Sequence, residues 1–426
     1  MHHGFKRARA VSWPLLICAC LLTVGVSLLA YTRAGAQENV HDEDVDFLDV
    51  CPAGCPYDSI QAAVDAAAPG DVVRVAVGIY TDLHARGQVT QVVYISKSVT
   101  IRGGYSLQFT DPPNPTAYPT VLDARGQGRV FFITGDIHVT LQGLRLTGGH
   151  IEGDGGGLRA SGANVVLEQV EVRSNEAHRG GGLYFDNCQV RLWSSLVQDN
   201  QATGNGGGLY LYNSPAVLAR NWLLDNGSGE DGGGIYMLLQ HLYLANNVIA
   251  HNRADGRGSG IFLAGDADMI HNTLARNGGP AGQGLYQLSN TARLTNTIIV
   301  DHPVGIFVAG SATVNLEATF WGHETWANGT NYIARGTIET GTIEISAAPG
   351  FRAPDAGDYH LTESSSALDV GIQTAVTRDL DGEERPFGPA VDMGADEYHP
   401  GPAMQPASYL PLIVNRRSAA TGSQDP

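Results

Sequence analysis

Acidic side chains beside glycine turns are the first residues in this sequence that could do chemistry. Asp154 and Asp231 each stand directly before a Gly-Gly-Gly triplet, and Asp199 and Asp225 directly precede Asn200 and Asn226. Two carboxyl groups held about 6.5–9.5 Å apart across a sugar chain would serve an inverting glycosidase. Carboxylates around calcium beside a base would serve a lyase. Neither column is uniform: Arg179, Asn205 and Arg257 replace the first pair of aspartates, and Ser174, His251 and Arg276 replace the second. They read as polar turn residues on a solvated face. His138, His178, His241, His251 and His271 are too spread out to form a metal triad by spacing. Asp379, Asp381 and Glu383 alternate around Gly382, an oxygen-rich loop that offers ligands to calcium without completing a twelve-residue EF-hand pattern. Calcium is therefore the one cofactor the sequence suggests, and none is required. Cys51 and Cys55 could close a small disulfide loop in an oxidising compartment, leaving Cys188 over.

What must position these residues is a repeat. The triplets Gly155-Gly156-Gly157, Gly180-Gly181-Gly182, Gly206-Gly207-Gly208 and Gly232-Gly233-Gly234 are each followed by an aliphatic residue. That column, Leu158, Leu183, Leu209, Ile235, Ile261, Leu285 and Ile306, recurs at intervals of 25, 26, 26, 26, 24 and 21. This is the length of one solenoid coil of three short strands and three turns. Successive glycines would each cost a helix about 1 kcal/mol relative to alanine, so a helical solenoid is excluded. A second row, Asn175, Asn200, Asn226, Asn252 and Asn277, keeps the same period. Stacked coils would bring these amides about 4.8 Å apart, within reach of hydrogen bonds from one to the next. Three residues before each asparagine stand Val172, Val197, Leu223, Ile249 and Leu274, and eight before stand Leu167, Leu192, Leu218, Leu244 and Met269. Constant apolar rows of this kind are what stacked parallel strands require.

The residue after each aliphatic is nearly always aromatic: Tyr184, Tyr210, Tyr236, Phe262, Tyr286 and Phe307, with Arg159 in the same column. Strand alternation turns this row outward if the aliphatic row points inward. Rings repeated along an acidic surface could contact sugar, or could simply pack on one another. The row from Tyr184 to Tyr286 is thus the candidate ligand-binding ladder.

Upstream, Tyr57–Ala67 reads as a short amphipathic helix with Asp58 or Ser59 as N-cap and Pro69-Gly70 after it, followed at once by a strand over Asp71–Val77. This arrangement resembles the N-terminal cap and first coil of pectin-lyase-like β-helix proteins, and the glycine and asparagine rows resemble the repeats of polymorphic outer-membrane proteins. Downstream, Asp358-Tyr359-His360-Leu361, Ser366–Gly371, Arg378–Pro386 and Val391–Tyr398 resemble the choice-of-anchor Q region of surface β-helix proteins. The resemblances imply an all-β fold, a right-handed single-stranded parallel β-helix with a short capping helix over residues 57–345. A choice-of-anchor Q-like region over 346–399 and a linker and tail over 400–426 follow, the tail holding Tyr409–Val414 but no sortase motif. Many pectin-lyase-like proteins are polysaccharide lyases or glycosidases. The Arg-x-Pro-x-x-Arg run of pectate lyases and the signatures of polygalacturonases are absent here.

The N-terminal 36 residues read as an export signal. Lys6, Arg7 and Arg9 precede an uncharged run from Val11 to Ala30, and Ala34-Gly35-Ala36 offers a cleavage site. Left uncleaved, the run is long enough to span a bilayer, the one membrane contact the sequence suggests. Residues 37–56 form an extension before the cap. Cleavage moves the formal charge from −17 to about −21, which disfavours nucleic acid and anionic lipid as partners. The expected protein is secreted or held at the cell surface, non-catalytic and adhesin-like, with a polysaccharide or cell-surface glycan as partner. A polysaccharide lyase or glycoside hydrolase is the alternative, and a structural envelope component the third reading.

Overall fold

A row of identical residues one coil apart can only stack if the backbone between them repeats, and the backbone does. The computed structural model describes residues 45–86 and 89–401; the export segment and the tail with Tyr409–Val414 lie outside them. From Asp46 onward the strands wind in about 12 turns and lie on three faces. The first face runs from Val89–Ile95 through Arg129–Thr134, Leu158–Ser161, Leu183–Asp186, Leu209–Tyr212, Ile235–Leu238 and Ile261–Ala264. The second face carries Asn164–Glu168, Gln189–Trp193, Ala216–Ala219 and Leu242–Ala245, and the third Glu171–Arg173, Leu196–Gln198, Trp222–Leu224 and Val248–Ala250. Two long strands, Gln283–Val300 and Val304–Gly322, then cross all three faces in turn.

Pairings between successive coils are parallel, and from Leu144 to Ala264 they keep the sequence register, with shifts only at Arg74/Ala76, Leu263/Ala264 and Gln287/Ser289 among the described strands. Leu183 lies beside Leu209, Leu209 beside Ile235, and Ile235 beside Ile261. The rows expected to be core, from Val172 to Leu274 and from Leu167 to Met269, are completely buried. Solenoid winding begins one coil before the expected start, because Phe47–Val50 pairs in parallel with Val72–Ala76.

The capping helix α1, Ile60–Ala66, is shorter than the pattern suggested and is capped by the Ser59 hydroxyl. It buries Ile60, Ala63 and Val64 over the end of the core. Gln61 satisfies the open edge of the first strand on the first face: its amide oxygen accepts from the Tyr94 backbone N–H (2.6 Å) and its amide nitrogen donates to the Tyr94 carbonyl (3.2 Å). An edge that would otherwise invite another strand is closed by this side chain at Tyr94 and by the antiparallel strand His84–Arg86 over Val89–Gln91. Cys51 and Cys55 are disulfide-bonded, and Cys188 is a free, buried thiol.

The glycine triplet is explained in two parts. The first glycine of each takes a left-handed φ, +60° to +73° from Gly155 to Gly232. The third is held by proximity: a Cβ on Gly208 would lie 2.6 Å from the Gly234 carbonyl oxygen and 3.1 Å from Cγ of Asn226. The glycine and asparagine rows are thus one device, the amide of each coil lying flat against the glycine of the same coil.

The last strand of the third face ends at Ala347, and the chain then turns back along the outside of that face. Phe351, Tyr359, Leu361, Ala367, Leu380, Met393 and Ala395 pack on an outward row that includes Leu196, Trp222, Val248, Ile298 and Phe320, making a second apolar core. Residues beyond 347 therefore share their interior with the solenoid. His271, bonded to the Asp392 carbonyl, and Asn246, bonded to the Arg378 carbonyl, stitch the two together.

Candidate functional site

The asparagine row forms the expected ladder. Nδ2 of Asn175, Asn200, Asn226 and Asn252 each donates to Oδ1 of the next residue at 2.9–3.0 Å. His302 takes the following rung between Asn277 and Asn328. Burial pushes its pKa down to about 4, so the ring in this ladder is neutral. A second buried ladder, Asn221, Asn247 and Asn272, occupies another turn. It too recurs at the coil period, so it was available to the same counting that found the first.

The aromatic row stacks as the alternation demands, with ring centroids 5.0, 5.0, 4.8, 5.4 and 4.8 Å apart from Tyr184 to Phe307 and planes within 16° of parallel. The expectation that the rings stand open to a ligand needs correcting. Each inner ring has a neighbour on both faces, and Tyr184, Tyr210, Phe262 and Tyr286 are buried. Guanidinium groups close the row: Arg179 lies over Tyr184 and Tyr210, Arg257 over Phe262 and Tyr286, and Arg159 stands between Phe132 and Tyr184. Burial raises the Tyr184 and Tyr236 hydroxyls to about 12. Tyrosine edges and arginines are what this row turns outward.

The turn acids are placed one by one. Arg179 grips Asp154 of the preceding coil with two bonds of 2.8 and 2.9 Å, and Arg257 grips Asp231 in the same way. The mixed column of aspartate and arginine is therefore a set of ion pairs between coils. Ser174, Asp199, Asp225, His251 and Arg276 all have φ between +53° and +58°; they supply the left-handed residue before each ladder asparagine, a position that aspartate tolerates. The histidines fall apart as expected: His138 meets Asn164, His178 meets Thr203 and His241 meets Asp268, while His251 and His271 lie beneath the returning C-terminal segment.

That segment gathers what the sequence left scattered. His360 Nδ1 lies 2.6 Å from Asp358 and its Nε2 2.8 Å from Asp381. Burial opposes the charge on this ring, but the two carboxylates outweigh it and lift its pKa to about 10. One atom each of His360, Asp381 and Asp396 lie mutually within 4.8 Å. Burial, with Asp379 and Asp381 adding repulsion, holds the Asp396 carboxyl well above the usual range. A cavity of about 240 Å³ opens beside these groups, lined also by Glu383, Tyr398 and His399. Asp381, expected as a calcium ligand with Asp379 and Glu383, is thus in the cluster, but with different partners. Asp379 is spent on the backbone, accepting from the N–H groups of Asp381, Glu383 and Glu397 at 2.8–3.1 Å. Glu383 lines the cavity without belonging to the triad. His360 and Asp396 were missed because nothing in their spacing marks them; only the resemblance ran through them.

Residues 130–320 match the family model described as the right handed beta helix region. Among solved structures, that of pectate lyase Pel9A is similar at 15% identity and a TM-score of 0.48, over 84% of this chain and 98% of the other. The pectin methylesterase from Aspergillus niger in deglycosylated form follows at 12% identity and a TM-score of 0.23, over 70% of this chain and 85% of its own. No curated protein matches the sequence. The family match, laid over coils that pair in parallel from one to the next, agrees with a right-handed parallel β-helix fold.

Proposed function

We propose that this is an exported, cell-surface or secreted β-helix protein that is non-catalytic and contacts polysaccharide. One observation carries the reading: Asp154 and Asp231, two of the acids the sequence offers as catalytic candidates, are each gripped by an arginine of the next coil. A carboxylate in a bidentate pair has its oxygens engaged by the guanidinium, which suits neither a general acid nor a base activating water. The export-like N-terminus supports the location, as do the resemblances to outer-membrane repeats and to the choice-of-anchor Q region. The acidic surface and the arginine-studded tyrosine edge favour a sugar partner over nucleic acid. The contact would run along Tyr184, Tyr210, Tyr236, Phe262 and Tyr286, through hydroxyl groups and guanidinium groups at the ring edges.

Two measurements test it. Purified mature protein should release neither unsaturated products nor reducing sugars from pectin, alginate or related uronans. Turnover abolished by Asp231→Asn would establish the lyase or glycosidase instead. A glycan array should show binding that weakens in Tyr210→Phe/Tyr236→Phe, a change that keeps the stacked rings and removes only the hydroxyl groups. Absence of binding by the parent protein would leave the ladder as packing and favour a structural envelope role.

A further inference from the structure

Residues 362–401 contain no strand or helix, yet they fold into a defined layer on the third face. Loops without ladders need other fasteners. The cluster at His360 draws together three separate stretches of this layer: Asp358–His360, Asp379–Asp381 and Asp396. Four carboxylates, Asp358, Asp379, Asp381 and Asp396, crowd around His360, whose ring bonds Asp358 and Asp381, while Arg352 bonds Asp358 and the nearby Arg385 pairs with Glu397 at 2.9 Å. The Asp381 side chain is only 1% exposed, and its Oδ1 has no hydrogen-bond partner while His360 holds its other oxygen. A buried, unpaired carboxylate oxygen is costly unless something positive meets it.

We propose that Asp381 and Asp396 form a divalent-cation site that fastens separate stretches of the C-terminal layer to one another, and that its natural occupant is calcium. The donors decide the metal. Both ring nitrogens of His360 are engaged by carboxylates, so the imidazole positions Asp381 and the ligands are oxygens. Hard oxygen donors beside a cavity with room for water suit calcium, which takes six to eight of them, and not zinc, which prefers nitrogen and sulfur. The site is independent of any sugar contact, because it lies on the third face and the tyrosine row on the first.

Trp222 makes the site visible. Its ring lies 5.6 Å from that of His360, so terbium bound in place of calcium would receive energy from this indole. The experiment uses the full mature chain after treatment with EDTA. Calcium chloride should give a binding isotherm near one ion per chain and a rise in Tm of a few degrees, and both should be lost in Asp381→Asn. Terbium emission excited through tryptophan should be displaced by calcium and fall severalfold in Trp222→Phe, which leaves the ligands in place. This second arm stands even if Asp381→Asn fails to fold. No calcium heat in the parent chain, calcium binding unchanged in a folded Asp381→Asn, or stabilisation by zinc but not by calcium would each overturn the proposal.

Discussion

Truncating one rung of the asparagine ladder, Asn226→Ala, tests whether buried amides hold the coils together. The Asn226 side chain makes four bonds: it accepts from the Asn200 backbone N–H at 3.2 Å and from Asn200 Nδ2 at 3.0 Å, and donates to the Val197 carbonyl and to Asn252 Oδ1, both at 2.9 Å. Asn252 Oδ1 keeps a second donor, the Asn226 backbone N–H, in the variant. The other three groups are left short of a partner inside a site that excludes water. At about 1–3 kcal/mol for each buried group left unpaired, with partial relaxation, the loss comes to about 3–6 kcal/mol. Long repeat arrays need not unfold in one step, so denaturant unfolding should be paired with hydrogen exchange, which reads the amides of the coils on either side. Exchange should accelerate most at Asn200 and its neighbours. Asn205→Ala, which removes a half-buried amide bonded to Glu230 and to the Asp231 backbone N–H, is the control and should cost about 1 kcal/mol, well below the ladder variant. A loss for Asn226→Ala no greater than for the control would refute the reasoning, and the row would then be a consequence of the turn and not a cause of its stability.

Leu209→Asp places a charge among completely buried aliphatics and should cost more than about 4 kcal/mol; an unchanged melting temperature would mean that this row faces solvent. Gly208→Ala should destabilise by about 2 kcal/mol or more, since the added carbon would strike the next coil's carbonyl at 2.6 Å, and stability equal to the parent in a thermal melt would show that the coils can separate freely. His302 predicts an acid limb. Its folded pKa of about 4 lies below the ordinary 6.5, so the unfolded chain takes up the proton first and stability falls as pH drops from about 6.5 to 4, by roughly 3 kcal/mol in all. His302→Asn, which restores the amide of the other rungs, should flatten that limb in melts at pH 7 and pH 4.5, and a limb of undiminished depth would assign it to other groups, His271 first among them.

Much of the solenoid was legible because translation along an axis puts each column of residues into one environment. Leu183, Leu209 and Ile235 answer the same packing question three times, so the answer shows as a period. The identity of the aromatic row was equally plain, but its availability was not. Alternation says that Tyr210 points away from the core, and nothing in alternation says that rings about 5 Å apart use up one another's faces. The charged columns misled for a related reason. Read down the sequence, Asp154, Arg179, Asp231 and Arg257 look like a broken pattern, whereas in space an arginine belongs next to an aspartate one coil away. His360, Asp381 and Asp396 obey no period, and their meeting depends on a layer whose bonds to the solenoid bridge more than a hundred residues.

That layer nevertheless left a mark on the solenoid. A parallel strand covered on one side alternates apolar with polar residues, and one covered on both sides is apolar throughout. On the third face the early strands alternate: Leu144–Thr147 and Glu171–Arg173 turn Arg145, Glu171 and Arg173 outward, where Glu171 bonds to both arginines. From the next coils the outward positions become mostly apolar: Leu196 with Gln198, Trp222 with Leu224, Val248 with Ala250, Thr273 with Ala275, and Ile298 with Val300. The change falls between Arg173 and Leu196, and the apolar stretch from there to Phe320 is the one the returning chain covers. On the third face the change from charged to apolar outward residues therefore coincides with where the cover ends. An apolar strand is not enough by itself, since Ala216–Ala219 and Leu242–Ala245 on the second face and Ile261–Ala264 on the first are as apolar; among the described residues it is the third face that the C-terminal layer packs on.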